Sequence, residues 1–190
     1  MTFTFTQVKS PEGLIVITPY VFNDERGFFM ETFRADQFEK VGIKEEFIQD
    51  NQSRSVKGVI RGLHFQVDPH EQSKLVRCIR GEVFDVAVDM RKKSDSFGKW
   101  FGVELTAENR RMIFVPQGFA HGIMTLTDDT EAFYLVNAFY APEEERGLRY
   151  NDPQFGIEWP RQPTEVSPKD ASWPDFDPVF HGIERLRGLT

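Results

Sequence analysis

The chain is short of cysteine and of basic residues, and both shortages exclude classes of protein. It has one cysteine, Cys78, among 190 residues, so no internal disulfide can form. The apolar run LVRCIRG around it predicts a buried, unreactive thiol. There are 23 Lys and Arg against 30 Asp and Glu, a net charge of −7, so no basic excess can neutralise nucleic-acid phosphates. We expect no nucleic-acid partner, and an anionic ligand requires a local Arg and Lys cluster.

Long apolar runs are also missing. No run approaches the roughly 18 residues that a transmembrane helix needs, and the start MTFTFTQVKS lacks the basic region and apolar stretch of a signal peptide. We therefore expect no membrane partner and a cytoplasmic protein. The length predicts a single domain over 1–190, with a core at about 10–165 and a C-terminal wrap over 166–190.

Helical periodicity is weak, whereas short apolar runs between turns are frequent. The 19 phenylalanines, with 14 glycines and 11 prolines, suit sheets better than helices. Strands are predicted at 13–22, 58–65, 74–79, 82–90, 99–106, 111–116, 120–127 and 131–140. We expect 74–79 and 82–90 to form one hairpin, and 120–127 and 131–140 another.

Helices are predicted only at 34–42 and around 168–172. Many evenly spaced strands indicate an antiparallel sandwich or barrel. In a jelly roll the two sheets enclose a pocket, so inward-facing polar residues become candidates for a site.

Two of the four histidines lie in settings that suggest a site. His70 lies in a turn and His181 near the tail, and both are predicted to be solvated. His64 and His121 lie in the strand-like runs RGLHFQ and QGFAHGIM. Glycine beside a polar strand residue marks a bulge or the close approach of a ligand, although a structural histidine is the alternative at each position.

Arg61 and His64 are three residues apart, which places them on opposite faces of a regular strand. They can share one pocket only if the chain breaks its alternation between them. Gly62 is the expected place for that break. The alternative is an Arg61 that points into solvent.

The stretches GLHFQVDPHEQSKLVRCIRGEVFDV and FVPQGFAHGIM resemble the two halves of a cupin. Metal-binding cupins use a His-x-His pair, a downstream Glu and a later His. In this chain Gln66 follows His64 at the second position of that pair. We therefore expect no metal site.

Longer motifs resemble the dTDP-4-dehydrorhamnose 3,5-epimerase family and cover nearly the whole chain in the family's order. They include FNDERGFFMETF (22–33), QDNQSRSVKGVIRGLHFQ (49–66), QSKLVRCIRGEVFDVAVDMR (72–91), VPQGFAHGIMTL (115–126), YAPEEERGLRYND (140–152) and SPKD (167–170). The resemblance implies an all-β fold, a cupin-type double-stranded β-helix or jelly roll with a few short helices.

The resemblance also implies the reaction, an inversion of C3 and C5 of a dTDP-linked 4-keto-6-deoxy-hexose to give dTDP-4-keto-L-rhamnose. The ketone makes the neighbouring C–H bonds acidic, so no cofactor is required. Such chemistry needs a base, a stabiliser for the enolate oxygen and an acid on the opposite face. By the resemblance these roles belong to His64 with its dyad partner Asp170, to Lys74 and to Tyr134.

Substrate-binding positions carry over in the same way. Arg26 and Arg61 are the natural partners of a diphosphate. Phe28, Phe29 and Tyr140 are candidates for stacking on the base or the sugar. Family members are homodimers with exchanged N-terminal strands, so Arg26 could serve the partner's site. The binding residues implied by the resemblance are Arg26, Phe28, Glu31, Gln49, Asn51, Arg61, His121, Tyr140, Glu145 and Lys169.

One departure from the family's pattern bears on the outcome of the reaction. Leu135 and Phe139 stand where relatives often carry a lysine and a tyrosine. The nearest alternative is accordingly a 3- or 5-monoepimerase acting on a related nucleotide 4-keto sugar. Further alternatives are a ketoisomerase that moves the carbonyl between C3 and C4, a non-catalytic sugar-binding cupin and a metal-dependent cupin oxygenase.

Overall fold

The computed structural model describes residues 2–186 and is built mainly from β-strands. The strands are β1 (Phe3–Gln7), β2 (Ile15–Pro19), β3 (Val21–Asp24), β4 (Gly27–Met30), β5 (Gln49–Ser55), β6 (Val59–Gln66), β7 (Lys74–Arg80), β8 (Glu82–Asp89), β9 (Trp100–Thr106), β10 (Met112–Val115), β11 (Phe119–Thr125), β12 (Thr130–Val136), β13 (Glu145–Gly147) and β14 (Glu165–Val166). The helices are α1 (Ala35–Glu39) and α2 (Pro168–Ala171), with 3₁₀ turns at Pro142–Glu144 and Ile183–Arg185.

Two sheets face each other. The first has the order β1-β2-β10-β7-β12-β5, and the second has the order β13-β6-β11-β8-β9 with β14 added in parallel to β6. Strands β3 and β4 form a separate hairpin. The predicted all-β architecture with short helices is therefore confirmed.

Both predicted hairpins are wrong, because each pair of consecutive strands is split between the sheets. β7 lies in the first sheet and β8 in the second, while β11 lies in the second and β12 in the first. Gly81, with φ +73°, forms the corner between β7 and β8. A Cβ there would lie 2.5 Å from Thr127 Oγ1 and 2.6 Å from Thr130 Oγ1, so the β11–β12 corner packs directly on it. The two corners carry the chain across the sandwich rather than back along one sheet.

The core lies between the sheets, and a second apolar layer covers the outer face of the second sheet. Residues such as Phe155 and Ile183 from the C-terminal part pack on Leu63, Val86 and Val88. Strand β8 is therefore buried on both faces. The sequence alternation at 82–90 predicts one apolar face only, but Asp85 and Asp89 are also fully buried.

On the outer face of the first sheet, side chains of its strands such as Phe3 of β1 pack with Phe38 of α1. The helix predicted over 34–42 is shorter than expected, at Ala35–Glu39. The β3–β4 hairpin has no such cover, and its aromatic side chains Phe28 and Phe29 are 57% and 67% exposed.

The predictions for isolated residues had mixed outcomes. Cys78 is buried as expected, and burial raises the pKa of its thiol to about 11. His70 is exposed as expected. The prediction for His181 is wrong, because its ring is fully buried between Phe176 and Phe180 and its Nδ1 pairs with the Asp177 backbone. None of the helices in residues 2–186 has the length and apolar content that a membrane crossing requires.

Candidate active site

A cavity with two compartments opens between the sheets. The first, of about 350 Å³, is lined by His121, Arg61 and Asp170 among others. The second, of about 270 Å³, is lined mainly by polar side chains, including Gln49 and Tyr140. Three side chains line both compartments: His64, Lys74 and Tyr134.

His64 lies on β6 and is paired with Asp170 of α2. His64 Nε2 lies 2.6 Å from Asp170 Oδ1, and the backbone N–H of Gly62 donates to Asp170 Oδ2 at 3.3 Å. The side chain of Ser167 caps α2 by accepting from the Asp170 backbone N–H. Burial works to raise the pKa of Asp170, but these hydrogen bonds, that from His64 first, outweigh it and hold the pKa below the usual range. The carboxylate is therefore ionised.

An ionised Asp170 can only accept, so the proton on the His64 ring is fixed at Nε2. The lone pair then lies at Nδ1, which is the basic nitrogen. Nδ1 lies 4.0 Å from Glu145 Oε1. The other Glu145 oxygen accepts from Tyr140 Oη and pairs with Lys169 Nζ. This cluster links α2, β13 and the rim of the second compartment around the base.

Gly62 breaks the alternation of β6 as the sequence predicts, since Arg61 and His64 line the same compartment. Its φ of +124° is a conformation that favours glycine. A Cβ at this position would lie 2.5 Å from Gly122 Cα and 2.8 Å from His121 O. Two glycines thus let β6 and β11 touch where their register shifts. The Arg61 guanidinium remains exposed and donates from Nε to Ser55 Oγ at 2.9 Å.

Lys74 and Tyr134 come from neighbouring strands, β7 and β12. Lys74 is only 9% exposed, so it is not the ordinary solvated lysine that its position at a strand start suggests. Burial lowers the pKa of Lys74 to about 8, although the nearby carboxylates of Asp85 and Glu145 act in the opposite direction. Burial also raises the pKa of Tyr134, which therefore stays protonated at neutral pH.

His121 is held by a buried carboxylate that the sequence analysis missed. His121 Nε2 lies 2.8 Å from Asp85 Oδ2 on the neighbouring strand β8. Asp85 Oδ1 is buried and has no hydrogen-bond partner among the described residues. The alternating pattern of β8 places Asp85 on the face expected to meet solvent. Its burial follows from the cover on both faces of the strand, which the alternating pattern does not show.

Five further residues implied by the resemblance also reach the cavity. Gln49 and Asn51 on β5 line the second compartment, and their side-chain amides are joined by a hydrogen bond of 3.0 Å. Tyr140 and Glu145 lie beside them, and Lys169 lines the first compartment.

Arg26, Phe28 and Glu31 do not reach the cavity of their own chain. The Arg26 side chain is 86% exposed and is paired with Asp24. Phe28 lies under the Arg110 guanidinium at 4.3 Å, and Glu31 lies 3.6 Å from Arg34. All three belong to the uncovered β3–β4 hairpin or follow it directly.

The departures from the family's pattern also lie outside the cavity lining. Leu135 packs with the residues that cover the outer face of the first sheet. Phe139 is 65% exposed, and its carbonyl accepts from Gln66 Nε2. Neither side chain lines either compartment.

The position that holds the second metal ligand in other cupins has a structural role here. The Gln66 amide donates to the His70 and Phe139 carbonyls and accepts from the Ala141 backbone N–H. Within residues 2–186 no three His, Cys, Asp or Glu side chains are grouped so that they could hold a metal ion.

Around one cavity, therefore, lie an imidazole with a free nitrogen, a buried ammonium and a protonated phenol. Such a set can take a proton from carbon, stabilise the resulting oxyanion and return a proton to the carbon. The family model of dTDP-4-dehydrorhamnose 3,5-epimerase matches residues 9–178. The chain belongs to this epimerase family. The predictions of the family, of an isomerase and of a cupin-type jelly roll are confirmed.

Individual relatives support the assignment over most of the chain. The dTDP-4-dehydrorhamnose 3,5-epimerase of Shigella flexneri is 54% identical over 86% of this chain and 91% of its own length. A solved dTDP-6-deoxy-D-glucose-3,5-epimerase from Legionella pneumophila, in complex with dTDP-4-keto-L-rhamnose, is 45% identical and covers 90% of this chain and 91% of its own, with a TM-score of 0.86. A 3′-monoepimerase from Streptomyces bikiniensis, solved with dTDP-quinovose, is 32% identical and covers 89% and 86%, with a TM-score of 0.83.

Proposed function

We propose that this epimerase inverts C3 and C5 of a dTDP-linked 4-keto-6-deoxy-hexose and gives dTDP-4-keto-L-rhamnose. The observation that carries the proposal is the junction of the two compartments, where His64, Lys74 and Tyr134 are the shared lining. A ketone at this junction meets a base, a cation and an acid at once. The solved relative from Legionella pneumophila, which holds that sugar nucleotide, supports the choice of substrate.

In the proposed reaction, Nδ1 of His64 takes the proton from the carbon beside the ketone. The C–H bonding pair becomes the enolate, and its charge goes to the C4 oxygen, where the Lys74 ammonium stabilises it. Asp170 holds the imidazole by its other nitrogen and stabilises the imidazolium that forms. Tyr134 then donates its phenolic proton to the carbon from the other side, and solvent returns the proton balance between Tyr134 and His64.

The charged and aromatic residues at the rim suit a nucleoside diphosphate. Arg61 and Lys169 line the first compartment and supply local positive charge. A protein of net charge −7 needs such a cluster to bind an anionic ligand. Tyr140 offers a ring for stacking, and Gln49 and Asn51 offer hydrogen bonds to the nucleotide. The single cysteine, without a disulfide, agrees with a cytoplasmic site of action.

We infer a homodimer in which the β3–β4 hairpin completes the partner's site. The hairpin exposes Phe22, Phe28 and Phe29, and the Arg26 side chain at its turn is exposed as well. Exposed aromatic clusters of this kind mark protein interfaces. Arg26, Phe28 and Glu31 then act on the substrate across the interface.

A second candidate is inversion of one carbon only. It is favoured by the similarity to the 3′-monoepimerase from Streptomyces bikiniensis. Both reactions need the same base, so the arrangement around His64 suits either of them.

Turnover of the thymidine-linked 4-keto-6-deoxy sugar in deuterated water distinguishes the candidates. We expect two deuterons per product by mass spectrometry, at C3 and C5, and the L-rhamno configuration by NMR. One deuteron with one inversion would overturn the double epimerisation, and a 3-keto product would indicate a ketoisomerase.

Variants test the assignment of the base and the acid. His64→Asn should abolish exchange at both carbons, and Tyr134→Phe should abolish inversion while the protein stays folded. His70→Asn, which changes an exposed ring outside both compartments, is the matched control and should be fully active. If the His64 and Tyr134 variants keep full function, the protein is a sugar-binding cupin and the proposal fails. Loss of activity in a chelator would instead point to a metal-dependent enzyme.

A further inference from the structure

We propose that an apolar wall in the first compartment, formed by Val76, Ala132 and Ile123, holds the C6 methyl group of the substrate and selects 6-deoxy sugars. The inference rests on the proposed function and names the residues that decide which sugar is accepted. None of the three side chains takes part in the proposed proton transfers.

The pleat of the sheets places this wall next to the residues that transfer protons. Residues two apart on a strand share a face and lie roughly 6.6–7 Å from each other. On β7 the polar Lys74 is followed by Val76, and on β12 Tyr134 is preceded by Ala132. β7 and β12 are antiparallel, and Tyr134 lies opposite Val76. The step from Lys74 to Val76 and the step from Tyr134 to Ala132 therefore point in the same direction along the sheet.

The second sheet repeats the pattern from the opposite side. On β11 His121 is followed, two residues later, by Ile123. Ile123 belongs to the same buried apolar cluster as Val76 and Ala132. The wall therefore closes across the sandwich, one pleat away from the junction of the compartments.

The wall is both buried and apolar. Val76, Ala132 and Ile123 are 1%, 2% and 6% exposed, and all three line the first compartment. None of them carries a hydrogen-bonding side chain. Ser53, which pairs with Ala132 across β5 and β12, is the polar neighbour at the side of the wall.

The substrate has one carbon substituent that fits such a surface. A 6-deoxy-hexose carries a methyl group on C5, and C5 is one of the two reacting carbons. A 6-hydroxy sugar would bury a hydroxyl against the wall without a hydrogen-bond partner, which disfavours its binding. A hydrophobic pocket discriminates against an added hydroxyl by about a hundredfold.

The wall also has a consequence for the reaction itself. A seated methyl fixes the orientation of C5 relative to His64, whereas C3 lies on the other side of the ketone. Disturbing the wall should therefore slow exchange at C5 more than exchange at C3. A merely structural role for these residues would affect both carbons equally.

The experiment compares kcat/KM for the dTDP-linked 4-keto sugar with a methyl at C6 and for its 6-hydroxy analogue. For the unmodified protein we expect a preference of about a hundredfold for the methyl compound. Val76→Thr and Ala132→Ser place a hydroxyl in the wall with little change in volume. Both should reduce the preference to below tenfold and lower the ratio of C5 to C3 deuterium exchange.

The matched control is Val86→Thr, the same substitution at a fully buried position on the outer face of the second sheet. It should keep the preference and the exchange ratio, and thermal melting shows which variants are folded. The inference is overturned if the unmodified protein turns over both sugars within threefold, or if Val76→Thr and Ala132→Ser behave like Val86→Thr. If the unmodified protein epimerises neither sugar, the proposed function fails first.

Discussion

Lys74 carries its charge where burial opposes it, and this has a cost for stability. Its pKa is about 8 in the folded protein, against 10.5 for a solvated lysine. Because the folded value is the lower one, the cost is fully present below pH 8 and disappears between pH 8 and 10.5. At one pKa unit per about 1.36 kcal/mol, the cost at neutral pH is roughly 3 kcal/mol.

Lys74→Met should therefore stabilise the protein while it abolishes turnover. We expect the free energy of unfolding at pH 7 to rise by up to about 3 kcal/mol, and the gain to vanish near pH 10.5. Urea unfolding at pH 7 and pH 10.5 measures both values. Lys57→Met, at an exposed position, is the control and should give little change. A destabilised Lys74→Met protein would contradict the assignment.

The lowered pKa of Lys74 also predicts that the reaction slows at alkaline pH. In the proposed reaction the protonated Lys74 stabilises the enolate, so kcat should fall above about pH 8. Lys74→Arg retains the charge at every accessible pH, so its residual activity should lose this alkaline limb. A pH–rate profile of both proteins measures the effect, and an unchanged limb in the arginine variant would assign it to another group.

The residues of the site differ in how far the sequence could identify them. His64, Lys74, Tyr134 and Asp170 follow from motifs that match a family, and the structure brings all four together. Their spacing along the chain could not show this by itself, since Asp170 lies 106 residues after His64. Asp85 was missed because an alternating pattern does not reveal that both faces of a strand are covered.

At the scale of elements, α2 is a short helix that brings Asp170 to His64. It has four residues, and the Ser167 side chain satisfies the Asp170 backbone N–H at the N-terminus. The Lys169–Glu145 ion pair ties the same turn to β13. Removing the cap costs about 1 kcal/mol of helix stability and loosens the carboxylate that orients His64.

Ser167→Ala should therefore lower kcat severalfold with little change in KM and in melting temperature. Ser172→Ala is the matched control, because it removes a hydroxyl at the other end of the same turn, where Oγ donates to the Lys169 carbonyl. That variant should keep its kcat. Equal losses in the two variants would show that the cap has no role in positioning Asp170.

The positions of the strands along the chain were easier to predict than the pairing of the strands in the sheets. The runs at 58–65, 74–79 and 82–90 appear as β6, β7 and β8 with nearly the expected bounds. Local periodicity sets where a strand lies, but it carries no information about which sheet the strand enters. Strand β5 was missed, because its sequence QDNQSRS is polar throughout and its alternation lies between half-buried and exposed side chains.

At the scale of the whole molecule, the uncovered hairpin predicts an assembly with shared sites. If Arg26 acts in the partner's cavity, Arg26→Ala and His64→Asn each inactivate both sites of their own homodimer. A mixed dimer regains one intact site, since one subunit supplies the base and the other supplies the arginine. Mixing the two inactive variants after reversible dissociation should therefore restore activity.

The measurement is turnover after mixing, with light scattering to give the mass of the particle. Lys169→Ala mixed with His64→Asn is the control, because both residues belong to the cavity of one chain, and the mixed dimer then has no intact site. A monomer by light scattering, or no recovery with the Arg26 variant, would reject the shared site.

An all-β sandwich or barrel could be predicted from strand number and turn frequency, and the resemblance to the family narrowed this to a cupin-type jelly roll. Its single-domain extent over 1–190 stays a prediction. The sequence predicts a C-terminal wrap over 166–190, but not that it covers the second sheet together with Phe155, because Phe155 and Ile183 lie in a segment without periodicity. Their burial depends on long-range packing, which a local pattern does not record.

Because His64 and Asp170 lie far apart along the chain, their pair can form only after the ribosome has made the residues between them. At about 5–20 residues per second, the ribosome needs roughly 5–20 seconds to extend the chain over the 106 residues between them. The emerging polypeptide thus acquires the proposed proton-abstracting pair only after Asp170 has left the ribosome, and a chain broken off before residue 170 never acquires it.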